Sequence, residues 1–310
     1  MTVSFNTSLH PAATSLAADH AFCTDVMKKS GSSFAIPIAL LPRSKRLATQ
    51  SLYAFCRLAD DLVDQRDSVD SASQAIDSLE QSLHAALAGK SVADPRVRAL
   101  AAASHQYGIP REHLVAILDG VRMDLDAQLY KTSEQLEHYC EHVASAVGLA
   151  AIHIWGFRTW EAIEPARQCG LAFQMTNILR DIQEDLQRGK IYLPTDDFAR
   201  CGCDPADLRA GRIGPEFNRL ADLELDRTRD YFDRCRSLDG LLATDGRLVF
   251  RAMFGVYRAM FEILERHRNE LFGNRITIGK RGILFGALKA IVMGTGRAGG
   301  RIRAFKKSDT

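Results

Sequence analysis

Two stretches of this chain place carboxylates where a buried helix should carry none. Between Ser51 and Asp64, the residues Tyr53, Arg57, Asp60 and Asp64 are spaced 4, 3 and 4, so they share one face of a helix. Leu52, Phe55, Leu58, Leu62 and Val63 occupy most of the remaining circumference, the pattern of a helix covered on several sides. The second stretch repeats the arrangement: Gln174, Asn177, Asp181 and Asp185 are spaced 3, 4 and 4, with Arg180 beside them and Ile178, Leu179, Ile182 and Leu186 elsewhere. Aspartates one turn apart repel by a few tenths of a kcal/mol, and Asp is a poor helix-interior residue. Helices of this kind are stable only when their polar stripes face something polar inside the fold.

The rest of the chain is helical text. Periodicity predicts helices over roughly 13–29, 44–66, 70–88, 94–107, 111–126, 132–156, 160–187, 215–238, 245–272 and 280–293, with hardly any alternating strand pattern. Ser44 and Thr132 offer N-caps, and Gly108-Ile109-Pro110 separates two helices. The longest irregular stretch, Arg188 to Asp204, reads as a lid-like loop after the second aspartate helix. The expectation is one all-α domain over 20–293, preceded by an extension at 1–19 and followed by a basic tail at 294–310.

Composition excludes several classes. With 310 residues, 46% hydrophobic and 25% charged, the chain is neither disordered nor fibrous. A net charge of +2 gives no footprint for nucleic acid. The balance hides a basic end, where Arg275, Lys280, Arg281, Lys289, Arg297, Arg301, Arg303, Lys306 and Lys307 face the single acid Asp309. The 7 cysteines are scattered and read as reduced buried thiols, with no zinc-ligand spacing. No signal-peptide n-region precedes Lys28, and the most apolar runs, Val143 to Gly156 and Gly282 to Gly296, fall short of the roughly 18 to 20 residues of a membrane span. The expected location is the cytoplasm. Peripheral membrane contact could come through the basic tail and an interfacial helix at Gly282 to Met293, for which an ordinary packed terminal helix is the simpler reading.

Aspartate pairs on facing helices suit a hard divalent cation. Mg2+ takes oxygen ligands and bridges carboxylates to substrate phosphates, and Arg57 and Arg180 are placed to bind phosphate oxygens in bidentate fashion. The combination points to a diphosphate held between two helices of a bundle. The competing reading, two solvated faces with local Arg–Asp pairs, does not account for the same pattern arising twice in apolar text.

These motifs resemble the squalene/phytoene synthase family, which joins two allylic diphosphates head to head. The likeness rests on Tyr53 to Asp64, on Gln174 to Asp185 continuing into Arg188-Gly-Lys190-Ile-Tyr192-Leu-Pro194, and on similar text at Ser32-Ser33-Phe34, Asp119 to Asp124 and Tyr139 to Gly148, in the family's order over about 20–290. It implies an all-α isoprenoid synthase fold around a central cavity. Asp60, Asp64, Asp181 and Asp185 would ligate Mg2+, with Mn2+ as a substitute. Ser33, Arg57, Gln174, Asn177, Arg180, Lys190 and Arg275 would bind substrate, and Tyr53, Tyr139 and Tyr192 would serve in catalysis. The substrates would be two C15 or two C20 prenyl diphosphates, passing through a cyclopropylcarbinyl diphosphate to presqualene diphosphate, squalene or phytoene.

Phe34, Phe55, Tyr139, Phe173, Phe254 and Phe261 are candidates for facing a carbocation, although each taken singly reads more readily as a core aromatic. Phe261 stands where many relatives carry Tyr, so no hydroxyl role attaches to it. Gly294-Thr-Gly296-Arg-Ala-Gly299 matches a dinucleotide fingerprint by letter without room for a strand–helix–strand unit, so the sequence shows no recognisable NADPH site. His138 and His153 read as ordinary surface or core histidines. A class I terpene cyclase of the same fold and a non-catalytic assembly protein descended from the family are the rival readings. The second motif departs from a cyclase's, and Asp181 lacks the adjacent Asp of a head-to-tail elongase.

Overall fold

The computed structural model describes residues 15–32, 34–64, 68–125, 129–271, 288–292 and 294–295, with Asp64 as backbone only. Helices follow one another: α1 (Leu16–Ser30), α2 (Ala35–Ile38), α3 (Arg43–Asp64), α4 (Val69–Leu87), α5 (Pro95–Tyr107), α6 (Arg111–Met123) and α7 (Ser133–Cys140). After a π-helical segment (Glu141–Ser145) come α8 (Ala146–Trp155), α9 (Ile163–Gln187), α10 (Thr195–Cys201), α11 (Pro205–Arg209), α12 (Pro215–Cys235), α13 (Leu238–Leu241) and α14 (Thr244–Arg266). Among the described residues there is no strand, only an isolated antiparallel bridge between Phe157 and Leu242. The all-α expectation holds. None of these helices is long and apolar enough to cross a membrane.

Local chemistry explains the punctuation. Ser15, Ser68 and Asp94 cap α1, α4 and α5 through their side chains, and Thr132 forms a capping box with Gln135 at the start of α7. Gly108 ends α5 at φ 63, a conformation open to glycine at little cost. Ser44 does not cap α3, because that helix already begins at Arg43.

Three further expectations need correction. The stretch read as an irregular loop, Arg188 to Asp204, contains α10: Asp196 and Asp197 sit in its first turn, favourable to the helix dipole, while Phe198 and Cys201 are buried. The helix expected over 132–156 is interrupted by the π segment, which no residue type announces. α2 was not anticipated, since one turn of helix is too short to show a period.

The segment 272–287 lies outside the described residues, as do 1–14, 296–310, Ser33 and Arg275. All 7 cysteines are free; five are buried and Cys56 and Cys203 partly so, in line with the reading as thiols.

The site is positioned by a ring of helices. α3 packs on α8, α8 on α9, α9 on α14, and α2 bridges α14 back to α3. α9 is also backed by α12 and by the π segment. Gly170 makes the last contact feasible: a Cβ there would lie 2.4 Å from the Ser145 Cα, so only glycine lets the backbones meet. The Ser145 hydroxyl closes the junction by donating to the Arg167 carbonyl at 2.7 Å.

Candidate active site

Inside the ring lies a cavity of about 330 Å³. Its polar end carries Tyr53, Arg57 and Asp60 from α3 and Gln174 and Asn177 from α9, so the two sequence stripes meet across one space. Its depth is apolar, with Leu52, Val147, Ala151, Phe173, Phe250 and Met253 among the walls. A polar rim over an apolar depth suits a charged head on a hydrocarbon tail.

The stripes are not equivalent electrostatically. Arg57 is 46% exposed and pairs with Asp61 at 2.6 Å along its own helix, and Asp60 is exposed at the rim. Arg180 grips Asp181 with two hydrogen bonds, one of 2.8 Å from Nε and a second from the guanidinium end, both side chains being under a fifth exposed. Asp185 is pushed up to about 6 by burial and then by the charge of Asp181, with Arg188 and Lys190 opposing. A cation beside Asp181 and Asp185 would relieve that repulsion.

Asp181 and Asp185 do not line the large cavity. Asp185 instead borders a separate small pocket with Lys190, Tyr192, Ile182 and Leu186. There a second cluster forms around Asp124, which follows α6. Its Oδ1 accepts from the Tyr139 hydroxyl at 3.1 Å, the Tyr192 hydroxyl at 3.2 Å and the Lys190 ammonium at 3.1 Å. The Tyr139 and Tyr192 rings stack with centroids 5.3 Å apart, and burial followed by the Asp124 charge raises both phenols above their ordinary value. Each therefore stays protonated and can act as a hydrogen-bond donor, not as a base. The structure thus brings Tyr139, Tyr192 and Lys190 together, but apart from Tyr53.

Two site residues escaped the sequence reading. Asp124 appeared only as part of a motif, because its partners are far along the chain. Tyr257 on α14 lines the cavity and stacks on Phe173 with centroids 4.0 Å apart, and burial raises its phenol above the ordinary value, with Asn177 and Arg180 opposing. The spacing of Phe250, Met253 and Tyr257, 3 and then 4 residues along one face, was the available signal. Of the aromatic candidates, Phe34 and Phe173 line the cavity. Phe55 is fully buried elsewhere, and Phe254 and Phe261 pack on Phe232 in the core.

The donor set is oxygen only, which fits Mg2+ or Mn2+ and not a thiolate metal site. Among the described residues no three Asp, Glu, His or Cys gather closely enough to hold a metal ion. Carboxylates divided between two helices leave positions for water and phosphate oxygens, as Mg2+ requires.

The family model for squalene/phytoene synthase matches residues 27–282. A 15-cis-phytoene synthase of Synechococcus elongatus is 31% identical over 265 residues, 82% of this chain and 86% of that one. A dehydrosqualene synthase crystal structure superposes with a TM-score of 0.81 at 28% identity, covering 90% of this chain and 97% of the other. A squalene synthase of Alicyclobacillus acidocaldarius gives 0.77 at 29% identity, covering 81% and 95%. With fold, motifs and cavity agreeing over most of its length, the chain belongs to the squalene/phytoene synthase family and is a prenyltransferase that joins prenyl diphosphates head to head.

Proposed function

We propose that Asp60, Asp64, Asp181 and Asp185 hold Mg2+ just outside the polar end of the cavity, Asp181 and Asp185 lying one and two turns of α9 beyond Asn177, and that the two substrates are identical C15 or C20 prenyl diphosphates. The observation carrying this reading is that both aspartate-bearing helices border one cavity whose depth is hydrocarbon. When bound, Mg2+ neutralises the diphosphate oxygens and eases their departure from an allylic carbon. Arg57 lies at the rim, where it can exchange Asp61 for a phosphate, and Arg180 can do the same with Asp181. Gln174 and Asn177 supply amide donors at the cavity, and the Lys190 ammonium, 3.1 Å from Asp124, stands in the small pocket beside Asp185.

The Phe34, Tyr257 and Phe173 rings form a stack on the cavity wall, with centroids 6.1 Å and 4.0 Å apart in succession, and the faces of Phe34 and Phe173 turned away from Tyr257 are the ones that would stabilise an allylic cation once the diphosphate leaves. The donor's apolar tail fills the cavity and excludes water, which keeps the cation from being quenched before the second substrate's double bond attacks. The Tyr139–Tyr192–Asp124–Lys190 cluster reaches the pocket of Asp185 through Tyr192 and Lys190, where its hydroxyl protons would be available to a departing diphosphate. Ser33 and Arg275 join the substrate-binding set through the family likeness alone.

The test is incubation with Mg2+ and C15 or C20 diphosphate, with and without NADPH, followed by lipid analysis. A cyclopropylcarbinyl diphosphate or a head-to-head hydrocarbon is the expected product. Protein inert toward both substrates would sink the assignment. Contact of the basic tail with membranes is a separate part of the reading, checked by co-sedimentation with anionic vesicles before and after removal of residues 296–310.

A further inference from the structure

The cavity has a definite far end. Along α3 its lining runs from Asp60 through Arg57, Cys56, Tyr53 and Leu52 to Thr49, a rise of roughly 16 Å at about 1.5 Å per residue. α9 runs alongside in the same sense, from Asn177 through Gln174, Phe173 and Gly170 to Ala166. At the Thr49 end stands Trp155, the last residue of α8 and 6% exposed.

Its indole is fixed by a closed set of bonds. The indole N–H donates to the Thr49 hydroxyl at 3.2 Å, that hydroxyl donates to the Lys45 carbonyl at 2.8 Å, and the Lys45 ammonium donates to the Trp155 carbonyl at 2.7 Å. α14 presses from behind, since a Cβ on Gly246 would lie 2.7 Å from the Trp155 Cβ. Beyond the tryptophan there is little more core: the Lys45–Asp245 ion pair, 2.8 Å long, keeps 21% and 30% of its side chains exposed. The ring separates the hydrocarbon cavity from water.

We propose that Trp155, locked by Thr49, is the floor of the prenyl-chain cavity and limits an extended substrate to about fifteen carbons. The inference rests on the cavity being the prenyl site. With carbon–carbon bonds near 1.5 Å, an extended isoprene unit covers about 5 Å. Three units therefore fill the run from Asp60 to Thr49, and a fourth meets the indole. Displacing the ring would break its buried hydrogen bond and open a path to solvent, so the floor resists a longer chain.

The first experiment compares kcat/KM for C15 and C20 diphosphates in the full-length wild type and in Trp155→Ala, with folding checked by circular dichroism. The wild type should prefer C15, and Trp155→Ala should raise the C20-to-C15 ratio by about ten-fold or more. Trp155→Phe, which keeps a ring, should leave the ratio within about two-fold of wild type. A folded Trp155→Ala whose ratio moves less than about two-fold overturns the proposal. Should Trp155→Ala fail to fold, Ala151→Phe decides: it raises the floor by one turn of α8 and should depress C15 turnover, and unchanged C15 turnover overturns the floor.

A second readout needs no turnover. The chain has 2 tryptophans, and Trp160 is 72% exposed, so Trp160→Phe leaves Trp155 as the sole emitter. C15 diphosphate bound without metal should shift its emission, whereas C10 diphosphate, too short to reach the floor, should not. No shift with C15 overturns the proposal. Failure of catalysis with both substrates would count against the prenyl-transfer reading, while the emission still decides whether the chain touches the floor.

Discussion

The two aspartate helices carry nearly the same letters and live in different surroundings. On α3, Asp60 and Arg57 stand exposed at the rim, and Arg57 is 46% open to water. On α9, Arg180 and Asp181 are 17% and 18% exposed, and Asp185 is pushed up to about 6 by burial and by Asp181. Water screens charges on the first helix and does so poorly on the second. The lesson is that one motif tolerates the absence of a cation and the other is destabilised by it, so the α9 half should depend more on metal.

The sharpest way to break this comparison is to remove one carboxylate from each helix. Asp181→Ala should lower kcat by about a thousand-fold and Asp60→Ala by about a hundred-fold, measured with saturating Mg2+. Equal losses, or the reverse order, would mean that burial does not rank the two motifs. Wild-type turnover in both variants would dismiss the metal cluster altogether.

A second measurement separates stability from activity. Without metal, Asp185→Asn removes the charge that Asp181 repels and should raise Tm by a few degrees while cutting turnover about a hundred-fold. Mg2+ with inorganic diphosphate should raise the wild-type Tm through binding, and this rise should vanish in Asp185→Asn. Asp60→Asn, at the screened rim, should leave the metal-free Tm within about 1 °C of wild type. A similar gain in both variants would erase the contrast.

Asp124 tests a site that neither stripe contains. Asp124→Asn keeps the shape and weakens a charge-assisted acceptor shared by Tyr139, Tyr192 and Lys190, so kcat/KM should fall about ten-fold. A phenol absorbance titration reports the same change, because losing the Asp124 charge brings the two tyrosines down toward their ordinary value. An unaltered titration would mean that Asp124 does not govern the pair.

The unequal legibility of these regions has a physical origin. The stripes could be read because helical spacing is local and carboxylates in apolar text conflict with burial. Asp124 could not, because Tyr139, Lys190 and Tyr192 lie 15, 66 and 68 residues away and meet it only through tertiary packing. Tyr257 was masked by neighbouring phenylalanines; only packing separates Phe250, Met253 and Tyr257 on the cavity from Phe254 and Phe261 in the core. The π segment ends at Ser145, where the backbone meets Gly170 of α9, a fit between helices that no local pattern encodes.

The smallest expected effect concerns a carboxylate buried more deeply than either stripe. Glu224 on α12 has no exposure, and its carboxyl is pushed up to about 7 by burial, with Arg227 opposing and Asp197 assisting. Arg227 serves both acids, at 2.6 Å to Glu224 and 2.9 Å to Asp197, so two negative charges share one positive charge. Holding a proton on Glu224 resolves the excess. Between about 4.5 and 7 the unfolded chain has released this proton and the folded one retains it, so the proton's contribution to stability is full below about 4.5 and is lost as pH rises through about 7. Glu224→Gln cannot titrate, so wild-type Tm should fall relative to the variant by several degrees across that window. A difference between the two that stays flat with pH would show that Glu224 is ionised throughout. Activity should hardly change, since Glu224 lines neither the cavity nor the Asp185 pocket. That contrast ties the metal requirement to half-burial beside a second carboxylate: a carboxyl buried alongside an arginine and a proton needs no cation.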